Sequence, residues 1–380
     1  MKQIAYIIHD ASPWILSEIS AIMKKGHQVL VCLVNSGAAL PAAYRHAEPT
    51  LLKIAGANVL ALFRYHIFYA IAAVWIPRRI GWQLFFRMFF FASVIRKHRI
   101  TAIHAHFATA GTLTAEMISR LEKIPYSFCA HAYDIFKHDV DRSDLRRKIR
   151  NARFVRTVSR FHNNFLLAID PTIPTDKIKI ISYGVDVSQF RPAKPVRHSR
   201  FLILSVGNLV AKKGFPVLID ACHILKKDGI EFECWIVGAG PLHSQLERRI
   251  ERHQLIGDVI LRGAVAHQAL NELYNAADVF VLPAVRTEDG DMDGIPNVLI
   301  EAMAAEAPVI STYLSGIPEL IDHEINGLLV PSEKASPLAE AMERIYKEPD
   351  FAAVLATNGR MKVLANYRAE DVAERLLKLF

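Results

Sequence analysis

Phe201-Leu-Ile-Leu-Ser-Val-Gly-Asn-Leu-Val-Ala-Lys-Lys-Gly-Phe215 decides the fold. Its first six residues suit a strand buried on both faces, Gly207 starts a turn, and a helix opens at Gly214. Strand, glycine turn and helix make one arm of a βαβ unit, which belongs to a parallel sheet covered by helices. Outward from this stretch the pattern repeats. Later strands are expected at Phe232 to Val237, Val259 to Leu261, Val279 to Leu282 and Val309 to Ser311. Earlier, Gln3 to Ile8 and Gln28 to Val34 flank a helix from Trp14 to Lys25. Strands follow near Ala102 to Ala105, Tyr126 to Ala130, Phe154 to Ser159 and Lys177 to Ile181. Between the two series, Arg191-Pro-Ala-Lys-Pro-Val-Arg-His-Ser-Arg200 has two prolines and no apolar period, which marks a linker. The expectation is an α/β protein of two Rossmann-like domains, 1–196 and 197–365, with a final helical segment 366–380. Such domains face each other across a cleft at the carboxyl ends of their strands.

Composition agrees with a globular chain. At 380 residues, with 52% hydrophobic and 22% charged residues, it is long enough for two cores and too apolar for disorder. Cys32, Cys129, Cys222 and Cys234 are scattered in apolar runs without a C-x-x-C pair, so they read as reduced core thiols. Met1 to His9 lacks the apolar core and cleavage site of a signal peptide, and a cytoplasmic location is expected. The net charge of +8 hides a division: residues 1–196 hold 27 Lys/Arg against 12 Asp/Glu, and the rest hold 19 against 26. No acid occurs between Glu48 and Glu116. That gap contains two aromatic runs, Tyr65 to Pro77 and Trp82 to Ile95, with Arg78, Arg79 and Arg87 among them. Neither run reaches the roughly 20 apolar residues of a membrane span. Two readings stand: a segment lying on an anionic membrane at the inner face, or a helix pair packed on the first sheet with snorkelling arginines. No nucleic-acid-binding module accompanies the basic half, so nucleic acid is not an expected partner.

The candidate chemistry lies in the second half. Asp291-Met-Asp-Gly-Ile-Pro-Asn-Val-Leu-Ile-Glu-Ala-Met-Ala-Ala305 places Asp293 in a Gly/Pro loop and Glu301 one turn beyond Asn297 in the following helix. A carboxylate there suits vicinal ribose hydroxyls, and amides at a helix start suit a diphosphate. Lys212 and Lys213 add positive charge at another strand end. In the first half, His131 follows an apolar strand, and His104 and His106 alternate on one strand face. Two histidines at that spacing could begin a metal site, but no third ligand with recognisable spacing follows.

The Asp293 to Glu301 loop-helix resembles the acid-x7-Glu motif of retaining glycosyltransferases of family 4, which have the two-domain GT-B fold. The family usually has Glu at both ends, and here Asp293 takes the first place; Glu288, Asp289 and Asp291 stand nearby. Gly207 to Gly214 resembles the family's G-R-L-x-x-x-K-G loop, with Lys213 on its lysine, Asn208 in place of its arginine and Lys212 as a substitute cation. Gly238-Ala-Gly-Pro241 resembles its G-x-G-P turn, and Arg262 falls where the nucleobase is placed. His131 resembles its strand-end histidine, and Tyr183-Gly-Val-Asp186 its N-G-V-D turn at the cleft hinge. The final helix resembles one that crosses back onto the first domain. Within the family, the Asp289 to Pro296 loop and the Ala130 to Phe136 segment look like transferases of bacterial exopolysaccharide assembly of colanic-acid type.

The resemblance implies catalytic roles for His131, Asp293 and Lys213. It implies donor contacts from Gly207, Asn208, Lys212, Lys213, Arg262, Gly294, Ile295, Pro296, Asn297 and Glu301. Asp10, His104 and His106 fall on the acceptor side. The implied function is transfer of a hexose, with retention, from a nucleoside-diphosphate sugar to a lipid-linked or saccharide acceptor, without metal or cofactor, in cell-surface polysaccharide synthesis. Two alternatives remain: a nucleotide-sugar epimerase or hydrolase of the same layout, and a non-catalytic membrane-associated nucleotide-sugar-binding subunit.

Overall fold

The computed structural model describes residues 1–35, 40, 43–47, 49–193 and 198–380, with backbone only at 67, 68, 71 and 75. The expected boundary at 196/197 lies outside the described residues. Strands β1 (Gln3–Ile8), β2 (Gln28–Leu33), β3 (Ala102–His106), β4 (Tyr126–Cys129), β5 (Val155–Thr157) and β6 (Ile178–Ile180) form one sheet in the order β2-β1-β3-β4-β5-β6. Strands β7 (Phe201–Val206), β8 (Phe232–Val237), β9 (Val259–Leu261), β10 (Val279–Val281), β11 (Val309–Thr312) and β12 (Leu328–Val330) form the second, ordered β12-β11-β10-β7-β8-β9. Every pairing is parallel. The fold is therefore α/β as expected, with β12 as a strand not expected from the sequence.

In each sheet the chain order reverses beside the first strand, between β1 and β3 and between β7 and β10. A crevice opens at such a switch point, outside the carboxyl ends of the strands. Val185 donates its amide to Tyr367 O (2.8 Å) and Ala369 donates back to Val185 O (3.0 Å). This pairing leads the last helix, Ala369–Leu377, onto helix Pro13–Lys24, where Val372 and Leu376 share a core with Ile15, Ile19 and Ile22.

The acid-free segment folds as helices Leu51–Arg64, His66–Trp75 and Pro77–Lys97. Here the packing reading holds for the second aromatic run. Phe85, Met88, Phe89, Phe91 and Ile95 are core residues of the first sheet, so most of the aromatic run from Trp82 to Ile95 is packing. Arg87 is buried, donating to Leu33 O (2.5 Å) and Val34 O (2.7 Å), where its guanidinium satisfies carbonyls at the end of β2. Arg79 pairs with Asp144 (2.7 Å). The exposed apolar surface lies on the first of the three helices: Leu60 and Phe63 are 67% and 82% exposed, with Leu51, Leu52, Val59 and Leu62 beside them and Trp82 adding to the face. Among the described residues, no helix is long and apolar enough to cross a membrane.

Candidate active site

The two switch points meet across the cleft. At the end of β7 the chain turns at Gly207, and the aliphatic stem of Lys213 lies over that glycine, where a Cβ would come within 3.3 Å of Lys213 Cδ and Cε. Gly214 then takes a φ of +70°, with Pro283 O where a Cβ would sit, so only glycine opens the helix Phe215–Lys227 this close to the chain leaving β10. These two glycines aim both lysines at the loop after β10. Lys213 Nζ donates to Asp293 Oδ2 (2.5 Å), and Lys212 Nζ lies 3.2 Å from Asp291 Oδ1 and 3.6 Å from Asp293 Oδ1. Asp293 is buried, which alone would push its carboxyl up. Lys213 and Lys212 outweigh burial and hold it below the usual carboxylate range.

Glu301 sits in helix Asn297–Ala304, whose start no side chain caps. It is buried and oriented by two neighbours: Tyr274 Oη donates to Oε2 (2.9 Å), and His267 Nε2 lies 2.9 Å from Oε1. A carboxylate has about four acceptor positions, so two remain for a diol. Glu301, Asn297 and His267 line a cavity of about 310 Å³ whose other wall is Trp14, Gly184 and Val185 of the first unit and its hinge.

The acid loop is also the bridge between units. Lys137 pairs with Asp289 (2.9 Å), and His138 donates its amide to Asp289 O (2.8 Å). Gly294 packs on the first unit so closely that a Cβ would lie 2.7 Å from His162 Cε1. Glu319 accepts the amides of Arg160 (2.9 Å) and Phe161 (3.1 Å), capping a first-unit helix from the second unit. His162 is buried, with Nδ1 2.5 Å from Ser159 Oγ, and burial pulls its pKa down to about 4.

On the first sheet, parallel pairing sets His104 beside Ser127 and His106 beside Cys129 on one face. Glu18 comes down on this face from helix Pro13–Lys24, accepting from Tyr6 Oη (2.9 Å) and from Arg156, which also donates to Ile181 O (2.8 Å) and Ser182 O (2.7 Å). His131 is buried, with Nε2 3.1 Å from His106 Nδ1 and Nδ1 bonded to the Tyr183 hydroxyl. Burial, then the neighbouring His106, drives its pKa well down, so the ring is neutral. Both ring nitrogens are engaged within the protein.

His104 and His106 are fully buried, so neither reaches an acceptor, which corrects their assignment to the acceptor side. They belong instead to the cluster that supports His131. The third metal-ligand candidate absent from the sequence spacing does exist in space: His106, Cys129 and His131 offer donor atoms within 4.8 Å of one another, as do Glu18, His104 and His106. The cation beside Glu18 is the chain's own Arg156. Asp10 is exposed and accepts from the Ser12 amide (3.2 Å). Asn208 is exposed at the turn, Ile295 and Pro296 are buried, and Arg262 stacks 4.0 Å over Trp235, which turns its guanidinium onto β8.

Lys212, Lys213, Asp293, Gly294, Asn297 and Glu301 are thus gathered in the second unit. From the first unit, His162 lies against Gly294 of this group. The sequence reading did not single out His162, Tyr274, His267, Glu18 or Arg156. Tyr274 and His267 carry no motif, and Glu18 on an otherwise apolar helix face was the one local signal of a buried ion pair.

Residues 14–189 match the family model Glycosyltransferase Family 4, and residues 186–362 match Glycosyl transferases group 1. Amylovoran biosynthesis glycosyltransferase AmsK of Erwinia amylovora is 34% identical over 284 residues, covering 71% of this chain and 69% of that protein. Putative colanic acid biosynthesis glycosyltransferase WcaL of Escherichia coli K12 is 38% identical over 209 residues, covering 54% of this chain; the match spans about half of that relative, 51%. Among solved structures, HepE of Anabaena in complex with UDP superposes with a TM-score of 0.73 at 17% identity, covering 100% of this chain and 99% of that chain. Sucrose-phosphate synthase of Thermosynechococcus elongatus gives 0.78 at 20% identity, covering 100% and 98%. At such identities these two bear on the fold, which is GT-B. Both halves of the sequence, the length shared with AmsK and the paired sheets lead to one assignment: the chain belongs to glycosyltransferase family 4.

Proposed function

We propose that this protein transfers a hexose from a nucleoside-diphosphate sugar to a lipid-linked or saccharide acceptor, with retention of configuration, in exopolysaccharide assembly. One observation carries the reading: two lysines at the β7 end converge on the acid loop beside an oriented Glu301 and an uncapped helix start. Without donor, Asp293 and Asp291 balance the lysines; with donor, the diphosphate takes that charge. The names of AmsK and WcaL support an exopolysaccharide product. Solved HepE complexes with UDP and UDP-glucose support a nucleotide-sugar donor.

In the reaction, the acceptor oxygen bonds to the anomeric carbon from the face that the diphosphate leaves. The bond from that carbon to the β-phosphate oxygen breaks, its electron pair stays on the phosphate, and that oxygen takes the acceptor's proton. Charge therefore builds on the phosphate, where Lys213, Lys212 and the helix-start amides of Asn297–Ala304 lower its energy. These fixed cations supply what a divalent ion supplies elsewhere, so the reaction proceeds without metal. Glu301 holds the ribose diol, and Asp293 a donor-sugar hydroxyl. The acceptor end belongs at an anionic membrane surface at the inner face, met by helix Leu51–Arg64, whose leucines and Phe63 are exposed while Arg64, Arg78 and Arg79 stand on the same acid-free stretch.

The test is incubation with UDP- and GDP-hexoses and membrane extract, with chelator present. Released nucleoside diphosphate and a new glycoside whose anomeric proton coupling matches the donor's are expected. Free sugar or an epimer as the sole product would replace transfer by hydrolysis or epimerisation. Donor binding with no product of any kind would leave a binding subunit.

A further inference from the structure

A second cavity, of about 560 Å³, opens on the first unit beside the cleft, and the donor chemistry makes no use of it. Its floor is neutralised from within. Lys148, though buried, donates to Ala108 O (2.7 Å) and Thr109 O (3.1 Å) and pairs with Asp144 Oδ2 (2.7 Å), while Arg79 takes Asp144 Oδ1 (2.7 Å). What the wall leaves open is of another kind: the ring of Tyr133, 37% exposed, and the exposed carboxylate of Asp139. A carboxylate accepts two neighbouring hydroxyls, and an aromatic ring covers the C–H face of a sugar. A phosphate in the same place would meet Asp139 and Asp141 with Lys148 and Arg79 already paired.

The cavity's position gives it a role. The Phe107 ring lies between Tyr133 (5.1 Å) and His131 (4.1 Å), and Asp134 accepts the amides of His131 (3.1 Å) and Ala108 (2.7 Å), so the cavity wall and the strand-end histidine are one rigid piece. Lys137, also on the wall, ties it to Asp289 of the acid loop. On the far side Arg79 belongs to helix Pro77–Lys97, which packs on the exposed apolar helix Leu51–Arg64. The cavity thus lies between the reaction centre and the apolar face.

We propose that this cavity seats the sugar of the acceptor, a hydroxyl-rich saccharide held by Asp139 and by the face of Tyr133. It rests on the glycosyl-transfer reading and adds the acceptor's chemical class and place. The experiment is saturation-transfer difference NMR of the full chain with methyl glucosides, galactosides and mannosides and with maltose, cellobiose and lactose. Calorimetric titration with UDP and GDP runs in parallel. Ring protons of at least one sugar should receive saturation. Tyr133→Ala and Asp139→Ala, both at exposed positions, should each cut that signal fivefold or more while nucleotide binding stays within twofold of the parent. No saturation from any sugar, or equal saturation in both variants, overturns the assignment. Competition by inorganic phosphate overturns it too, in favour of an anion seat. If the parent binds neither nucleotide, the donor reading fails by itself, and a Tyr133-dependent sugar signal still supports the seat.

Discussion

Removing Lys213 separates its two jobs. In the structure its ammonium neutralises Asp293, a buried carboxylate, at 2.5 Å, and Lys212, at 3.6 Å, offers a second cation. Breaking a buried pair from one side costs about 3–5 kcal/mol, and the remaining lysine places Lys213→Ala at the lower end, about 3 kcal/mol of stability. The same change removes a preorganised cation from the departing diphosphate, which lowers turnover by about a hundredfold or more, about 2.7 kcal/mol of barrier. Adding Asp293→Asn removes the stranded charge. The double variant should therefore regain most of the lost stability in urea unfolding. Its turnover, read as nucleoside diphosphate released from the donor used by the parent, should stay at least a hundredfold down. Recovery of turnover to within tenfold of the parent would refute the phosphate role, because Lys213 would then act only by neutralising the buried Asp293 charge.

Glu301→Gln keeps the size of the side chain but turns one acceptor into a donor facing Tyr274 or His267, and calorimetry should find nucleoside-diphosphate binding weaker by about 1.5–3 kcal/mol; unchanged affinity removes Glu301 from the site. His162 has a folded pKa of about 4, below the ordinary 6.5, so the unfolded chain binds the extra proton between those values. Stability is then complete above about pH 6.5 and declines as pH falls towards 4; His162→Gln should flatten that slope by up to one proton, and an unaltered slope would show that the ring titrates normally. At the surface, Leu60→Glu with Phe63→Glu should abolish co-sedimentation with anionic vesicles at low salt, whereas substitutions confined to the buried run Phe85 to Ile95 should act through stability; vesicle binding equal to the parent's removes helix Leu51–Arg64 from the interface.

The strands were legible because both sheets are parallel and buried on both faces, so each strand appears as a short unbroken apolar run bounded by turn residues. Phe201–Val206 and Phe232–Val237 match residue for residue. The edge strand Leu328–Val330 escaped because it leaves the Asn326-Gly327 turn directly, so its three residues merge with the exit of that turn. The acid-free segment stayed open between two readings for a related reason. Composition there marks residues that avoid water but not which surface covers them: Phe85 and Phe89 face the sheet, Phe63 faces outward, and all three lie in the same acid-free stretch. Arg87 could not be placed without the end of β2, whose free carbonyls it satisfies from more than fifty residues away.

The site divides along the same line. Where function needs a backbone shape, as in the glycine turn that carries Lys213 or the Pro296 start of the Glu301 helix, the residues that make the shape are neighbours in sequence and the motif is visible. Where it needs a charge held in low dielectric, the partner comes from another strand or the other unit. Asp293 meets Lys213 across eighty positions, Glu301 meets Tyr274 across twenty-seven, and Glu18 meets Arg156 across one hundred and thirty-eight. Reading the chain alone, His104 and His106 therefore looked available to substrate, since nothing nearby showed the Glu18, Arg156 and Trp14 that enclose them. Enclosure changes what such a residue does. A buried neutral His106 contributes by holding the His131 ring in one orientation, with Tyr183 on its other nitrogen. The strand-end edge of the first unit is consequently set by a histidine pair and a tyrosine, with Phe107 beside His131 and Tyr133 stacked on Phe107 towards the cavity.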